Sequence, residues 1–399
     1  MKNTRHIKTV LTSIPLLFAS SLVQANPPGN DKIWEMLKQQ QKQIKELQNK
    51  NKRLTEKLDL SAEMANQPAT SPTTSSHTAS NRTSIGGYGE LHYSNLDSKK
   101  EIDFHRFVLF FGHEFNSLTR FFSELELEHV ISGDNQPGEI ELEQAYIEHD
   151  LTKNMSAKAG LFLLPVGILN ETHEPTTFYG VERNPVEKNI IPTTWWEAGL
   201  ALTGKINNVW SYDLALTSGL STPTTGSNAY LIRSGRKRAA KAPASDGALT
   251  ARVKWSGMAG LQISATVQRQ QDITQGTDST AGGATLFEAN GVYQKGPFTL
   301  RALYAQWTLN GSGPKALGRD KQKGWYIEPA YKITSKLGMF ARYNQWDNNA
   351  GNSAATKYKQ TDFGINYWLH ENVVLKLDVQ NQSGAGSNDG FNLGIGYQF

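Results

Sequence analysis

The stretch Phe391–Phe399 reads FNLGIGYQF, and its reading decides the fold. Phe391, Leu393, Ile395, Tyr397 and Phe399 place an apolar or aromatic side chain at every second position. Asn392, Gly394, Gly396 and Gln398 occupy the positions between. A period of two is that of a strand with one apolar and one polar face. A strand at the end of a chain needs a partner on both edges, and a closed barrel supplies them.

Working upstream, residues 85–399 resolve into sixteen alternating segments: 85–95, 102–115, 119–130, 139–149, 155–164, 195–206, 209–218, 248–256, 260–270, 284–294, 297–308, 323–333, 337–346, 357–369, 372–380 and 390–399. An even number is what single-chain bacterial barrels carry. The connections alternate in length. Short ones (116–118, 207–208, 294–296, 334–336) are interleaved with long ones (165–194, 219–247, 271–283). Tight turns at one rim and long loops at the other are the outer-membrane pattern. A terminal aromatic with another two positions earlier also resembles the insertion signal of outer-membrane barrels; a C-terminal edge strand of a soluble β-domain is the competing reading. No blade repeat of a soluble propeller is found. Trp195, Trp196, Trp210, Trp255, Trp325, Trp346, Tyr367 and Trp368 sit near strand ends, where they are expected to form aromatic girdles.

Mean hydropathy is only −0.50. A barrel accounts for this, because only alternate residues meet lipid. No apolar run beyond the N-terminus is long enough for a membrane helix. The chain has no Cys, in keeping with passage through an oxidising periplasm.

The N-terminus reads as a secretory signal over 1–25. Lys2, Arg5 and Lys8 form a basic region, Val10–Leu22 an apolar core, and Val23-Gln24-Ala25 a cleavage site. Within 31–60, Ile33, Leu37, Gln40, Ile44, Leu47, Asn51, Leu54 and Leu58 follow 4, 3, 4, 3 spacing. This is a coiled-coil seam and predicts a homo-oligomer. Residues 61–84 are rich in Ser, Thr, Ala, Pro and Asn and read as a flexible linker. Both ends of the barrel lie at the short-turn rim, so the coiled coil is expected in the periplasm.

Gly160–Gly204, GLFLLPVGILNETHEPTTFYGVERNPVEKNIIPTTWWEAGLALTG, resembles the phosphate-selective porin O and P family. IDFHRFVLFFGHEF from Ile102 and SELELEHV from Ser123 carry the same resemblance. It implies a sixteen-stranded trimeric transmembrane β-barrel, all-β and antiparallel, with its third loop folded inside; here that loop is 165–194. It also implies a channel lined by cations that passes small inorganic or organic anions such as phosphate. Fixed guanidinium forks in a narrow passage replace the hydration of an anion.

Strand alternation places Arg106, Lys158, Lys205, Arg252, Lys254, Arg301, Lys332 and Arg342 on the lumen face, with Arg183 on the inward loop. Each has a plain solvated charge as its alternative reading. Arg233, Arg236, Lys237, Arg238 and Lys241 fall on loop 219–247. There they are expected at the outer mouth, steering anions or meeting anionic lipopolysaccharide. Glu124, Glu126 and Glu128 share the inward face of one strand, and Glu139, Glu141 and Glu143 follow on the next.

The charge balance argues against a uniformly cationic pore. Residues 85–200 hold 8 basic and 19 acidic residues, while residues 201–399 hold 21 basic and 12 acidic. One acidic wall facing one basic wall is expected, and with it modest anion preference. An enzyme does not fit: no GxSxG-type elbow or paired catalytic motif is found. No cofactor is expected. His173 with Glu171 and Glu174 reads as structural rather than metal-binding, and calcium at Glu124, Glu126 and Glu128 is the lesser reading. A nucleic-acid partner does not suit a secreted chain. The rival to a channel is an outer-membrane tether or adhesin in which the coiled coil is the functional part.

Overall fold

Burial along the strands is inverted relative to a water-soluble protein. In the last strand but one, Val374, Lys376 and Asp378 are buried while Leu375, Leu377 and Val379 between them are exposed. Three strands further back, Gln322, Tyr326 and Glu328 are buried while Trp325 and Ile327 are exposed. Exposed aliphatics alternating with buried charges make sense only where lipid bathes the outside.

The computed structural model describes residues 82–399 apart from Asp134 and Gln136. The expected signal peptide, coiled coil and nearly all of the linker lie outside the described residues. Sixteen strands run in order: β1 (Thr83–Leu96), β2 (Lys99–Glu114), β3 (Thr119–Glu128), β4 (Ile140–Thr152), β5 (Met155–Leu163), β6 (Trp196–Lys205), β7 (Trp210–Thr217), β8 (Ala248–Met258), β9 (Leu261–Gln270), β10 (Ala284–Lys295), β11 (Phe298–Leu309), β12 (Lys321–Lys332), β13 (Leu337–Asp347), β14 (Tyr358–His370), β15 (Val373–Gly384) and β16 (Gly390–Gln398). They match the sixteen expected segments, with ends shifted by a few residues. Each pairs antiparallel with its neighbours in sequence, and β16 pairs with β1 (Leu91 against Ile395) to close the barrel. Among the described residues every strand of the sheet has a neighbour on both sides, so the barrel has no edge strand.

The exposed apolar face of β16 is the one expected, but the reason for its glycines emerges only from packing. A methyl on Gly396 would sit 2.3 Å from Cβ of Pro175, and one on Gly394 would sit 3.0 Å from Val181. The β5–β6 connection presses against this strand, and only glycine leaves room for it.

The girdle expectation needs correction. Trp210, Trp325 and Tyr367 are exposed, but Trp195, Trp196 and Trp346 are buried. Trp195 packs against Trp307 with ring centres 6.0 Å apart and planes tilted at 47°, and donates to Glu197 at 3.0 Å. Nearness to a strand end does not set which face a side chain takes, and here the packed side won.

Candidate functional site

The β5–β6 connection, residues 164–195, is built around its own polar residues. Asn170 donates to the carbonyls of Leu164 (2.8 Å) and Trp195 (3.0 Å) and accepts from the Trp195 N–H (2.7 Å), stapling the two ends together. A short helix, α1 (Val186–Asn189), places Glu187 in the middle. Glu187 is fully buried, accepts the N–H groups of Ile168 and Leu169, each at 2.7 Å, and accepts Tyr326 Oη at 3.0 Å. A buried carboxylate with this many donors is satisfied. Val166, Val186, Ile190, Ile191 and Trp195 then pack with Leu220 and Ile232 of the β7–β8 connection and with Leu286, Leu303 and Trp307 of β10 and β11.

Inner-face side chains of several strands hold this connection by its backbone. Lys376 donates to Gly180 O (2.8 Å), Arg342 to Tyr179 O (3.3 Å) and Asn366 to Phe178 O (3.1 Å). Trp307 donates to Ile190 O (3.1 Å), and Asp378 accepts from the Val181 N–H (2.6 Å). An irregular segment can be buried only when such partners meet its backbone groups.

A cavity of about 320 Å³ opens beside this connection toward the long-loop rim. Glu101 and Asp103 of β2, Glu128 of β3, and Glu141 and Glu143 of β4 line one side. Arg183 of the β5–β6 connection and Arg233 and Arg236 of the β7–β8 connection also line it. Arg183 donates to Thr194 Oγ1 (2.8 Å), Arg233 to Lys188 O (2.6 Å) and Thr193 O (3.2 Å), and Arg236 to Pro192 O (3.4 Å) and Thr194 O. A second cavity, of about 620 Å³, lies toward the short-turn rim, lined by Glu171, Arg252, Lys254 and Arg301 among others.

The cations expected in the lumen divide sharply. Arg106 is buried against Glu90 at 2.5 Å. Arg252 pairs with Asp213 (2.8 Å) and Glu171, and Lys254 with Asp213 (3.4 Å). Arg342 pairs with Glu328 and Asp362, each at 3.1 Å, and Arg301 lies 3.6 Å from Glu328. Arg238 is met by Glu139 (2.7 Å) and Glu141. Lys158 lies over the Tyr146 ring (4.7 Å) and Lys332 over Trp368 (4.5 Å), while Lys205 is exposed at the short-turn rim.

Arg183, Arg233 and Arg236 have no carboxylate within 4 Å among the described residues. Burial and then the charges of Arg236 and Arg183 push Arg233 down to about 9; burial and then Arg183 push Arg236 down to about 10. Mutual repulsion of this kind is the mark of uncompensated positive charge, and at neutral pH the guanidiniums still keep their protons.

Two expectations change. Arg233 and Arg236, placed at the mouth by sequence, are docked onto the β5–β6 connection; only Lys237 and Lys241 of that run are exposed. Strands 8–16 do not form an open basic wall: Arg252 and Lys254 meet Asp213 of β7, Arg342 meets Glu328 and Asp362, Arg301 approaches Glu328, and Lys376 donates to the connection's backbone. The acidic side is as expected: Glu124 and Glu126 are buried on the inner face and Glu128 is half-buried. The group Glu171, His173 and Glu174 is dispersed, since Glu171 turns to Arg252 while His173 lies 3.5 Å from Glu124 and 3.4 Å from Glu143. What sequence reasoning missed is Asn170, Glu187 and Asn184, the last of which donates to the Glu187 carboxylate and accepts the Glu187 N–H, each at 2.8 Å. Their signal was polar residues in a stretch otherwise too apolar for a solvated loop.

Residues 84–389 match the family model described as phosphate-selective porin O and P. An uncharacterized protein of Aquifex aeolicus (strain VF5) is 29% identical, with 79% of this chain and 80% of that protein aligned. The trimer form of OmpT, an outer membrane protein of Vibrio cholerae, superposes with a TM-score of 0.56 at 12% identity, covering 79% of this chain and 99% of that one. An anion-selective porin from Comamonas acidovorans gives 0.55 at 11% identity, again covering 79% and 99%. The solved structures bear on the fold and the family model on kinship: the chain belongs to the phosphate-selective porin O and P family and is an outer-membrane porin.

Proposed function

We propose that the protein is a passive diffusion channel for small hydrophilic solutes, with a modest preference for inorganic and organic anions, phosphate among them. The β5–β6 connection is its constriction. The observation that carries this reading is the trio Arg183, Arg233 and Arg236, left without carboxylate partners opposite Glu128, Glu141 and Glu143 across one cavity. A transverse field of this kind orients and passes polar solutes. It does not build the closed cage of donors that a tight phosphate site requires. The family kinship and the likeness to an anion-selective porin support the sign of the preference, and the likeness to a trimeric barrel supports a homotrimer. The heptad seam of 31–60 would sit in the periplasm beneath the pore.

Reversal potentials across a planar bilayer in a KCl gradient test this. We expect an anion-to-cation permeability ratio of about 2–5, the equivalent of about 1 kcal/mol or less. A ratio below one, or block of chloride current by micromolar phosphate, would overturn it.

A further inference from the structure

We infer that Asp103, His105 and His129 form a binding site for a divalent transition cation of the zinc class, set in the wall of the cavity toward the long-loop rim. Asp103 and His105 lie at an irregularity of β2, where Glu90 of β1 faces Arg106 and His92 faces Asp103, and the extra residue turns the His105 ring toward the Asp103 carboxylate. His129 follows the last residue of β3. Its backbone is left-handed (φ 51°), which ends the strand and carries the ring over β2, and its N–H donates to His105 O at 3.1 Å. Two imidazoles thereby converge on one carboxylate. Nδ1 of His129 lies 2.9 Å and Nδ1 of His105 3.2 Å from the same oxygen, Oδ2 of Asp103. The three ligand atoms all fall within 4.8 Å of one another.

That spacing suits a tetrahedral ion. Bonds of about 2.0–2.1 Å put neighbouring ligand atoms roughly 3.3 Å apart. The three side chains are 20–33% exposed, and all of them line the cavity, so the fourth position faces open space. Two nitrogens and one oxygen select a borderline cation over calcium or magnesium, which take oxygen ligands. His92 stacks on His105 (4.8 Å, 17°), but its own nitrogens are engaged by Glu90 (3.2 Å) and Glu182 (3.3 Å). It is a packing partner that fixes the His105 ring rather than a ligand.

Other carboxylate groups nearby fit less well. Glu124, Glu143 and His173 are all buried, and Glu141 of the group Glu126, Glu128 and Glu141 is already met by Arg238.

Calorimetric titration of ZnCl2 into the full chain, folded in detergent, tests the site without reference to current, so its failure would leave the channel reading untouched. We expect one saturable site per chain with micromolar affinity and no comparable uptake of CaCl2. His105→Asn, His129→Asn and Asp103→Asn each weaken zinc binding by about tenfold or more, while His92→Phe, which keeps a ring against His105, changes it little. Cobalt substituted for zinc shows tetrahedral visible bands that are lost in His129→Asn. Heat-modifiable gel mobility confirms that each variant is a folded barrel. The inference is overturned by an absence of saturable zinc binding, by calcium binding as tightly as zinc, or by folded His105→Asn and His129→Asn barrels that bind zinc like the wild type.

Discussion

The arginines of the strands and the arginines of the connections are the same side chain put to opposite uses. Arg106, Arg252 and Arg342 project inward from β2, β8 and β13, are nearly inaccessible, and have carboxylates at contact distance. Arg183, Arg233 and Arg236 project from long connections, hold only carbonyl and hydroxyl oxygens, and border a cavity. Pairing rather than position on the inner face separates a structural charge from one a solute can feel. A neutralised arginine contributes little field, whereas one hydrogen-bonded only to neutral oxygens keeps its charge.

The comparison is broken most forcefully by removing a strand arginine. Arg106→Ala leaves buried Glu90 without its guanidinium, with only His92 beside it, and should cost about 3 kcal/mol of barrel stability, seen as a lower unfolding temperature on heat-modifiable gels. Anion preference should change little. A large selectivity change with unaltered stability would mean that strand cations, too, serve the solute.

Next in size is a pH effect at His173, on the connection itself. Burial alone lowers its pKa, but the adjacent carboxylates of Glu124 (3.5 Å) and Glu143 (3.4 Å) outweigh burial and raise it to about 8. A folded-state pKa above the unfolded value of about 6.5 contributes stability that is complete below pH 6.5 and fades as pH rises through about 8. The loss is roughly 2 kcal/mol. Denaturation midpoints at several pH values should show this slope in the wild type and not in His173→Gln.

Smaller is the expected change in Arg183→Ala/Arg236→Ala. The anion-to-cation ratio should fall severalfold, the equivalent of about 1 kcal/mol, with stability nearly intact. Smallest is Lys237→Ala/Lys241→Ala. Both lysines are exposed, so stability should move by less than about 0.5 kcal/mol. Conductance should drop only at low ionic strength, where steering is unscreened.

The fold was legible in FNLGIGYQF and in the fifteen segments before it, because side-chain alternation in a strand is a local property and its hydrophobic pattern reports the lipid directly. The site was legible only in part. Glu124, Glu126 and Glu128 read correctly as one inward face. Arg233 and Arg236 were legible as a basic run but not as residues docked on another connection, and Asp103 and His105 on β2 are separated from His129, just past β3, with no motif spacing.

The sequence alone thus determined a closed barrel of sixteen strands with short turns at one rim and long loops at the other. Strand period, turn length and chain closure are set by neighbouring residues. The tertiary structure decided which charges are cancelled and which remain. Partners such as Lys376 and Gly180, 196 residues apart, meet only once β15 and the β5–β6 connection have come together. Charges interact through space, and their distances are unknown until every strand has its neighbour.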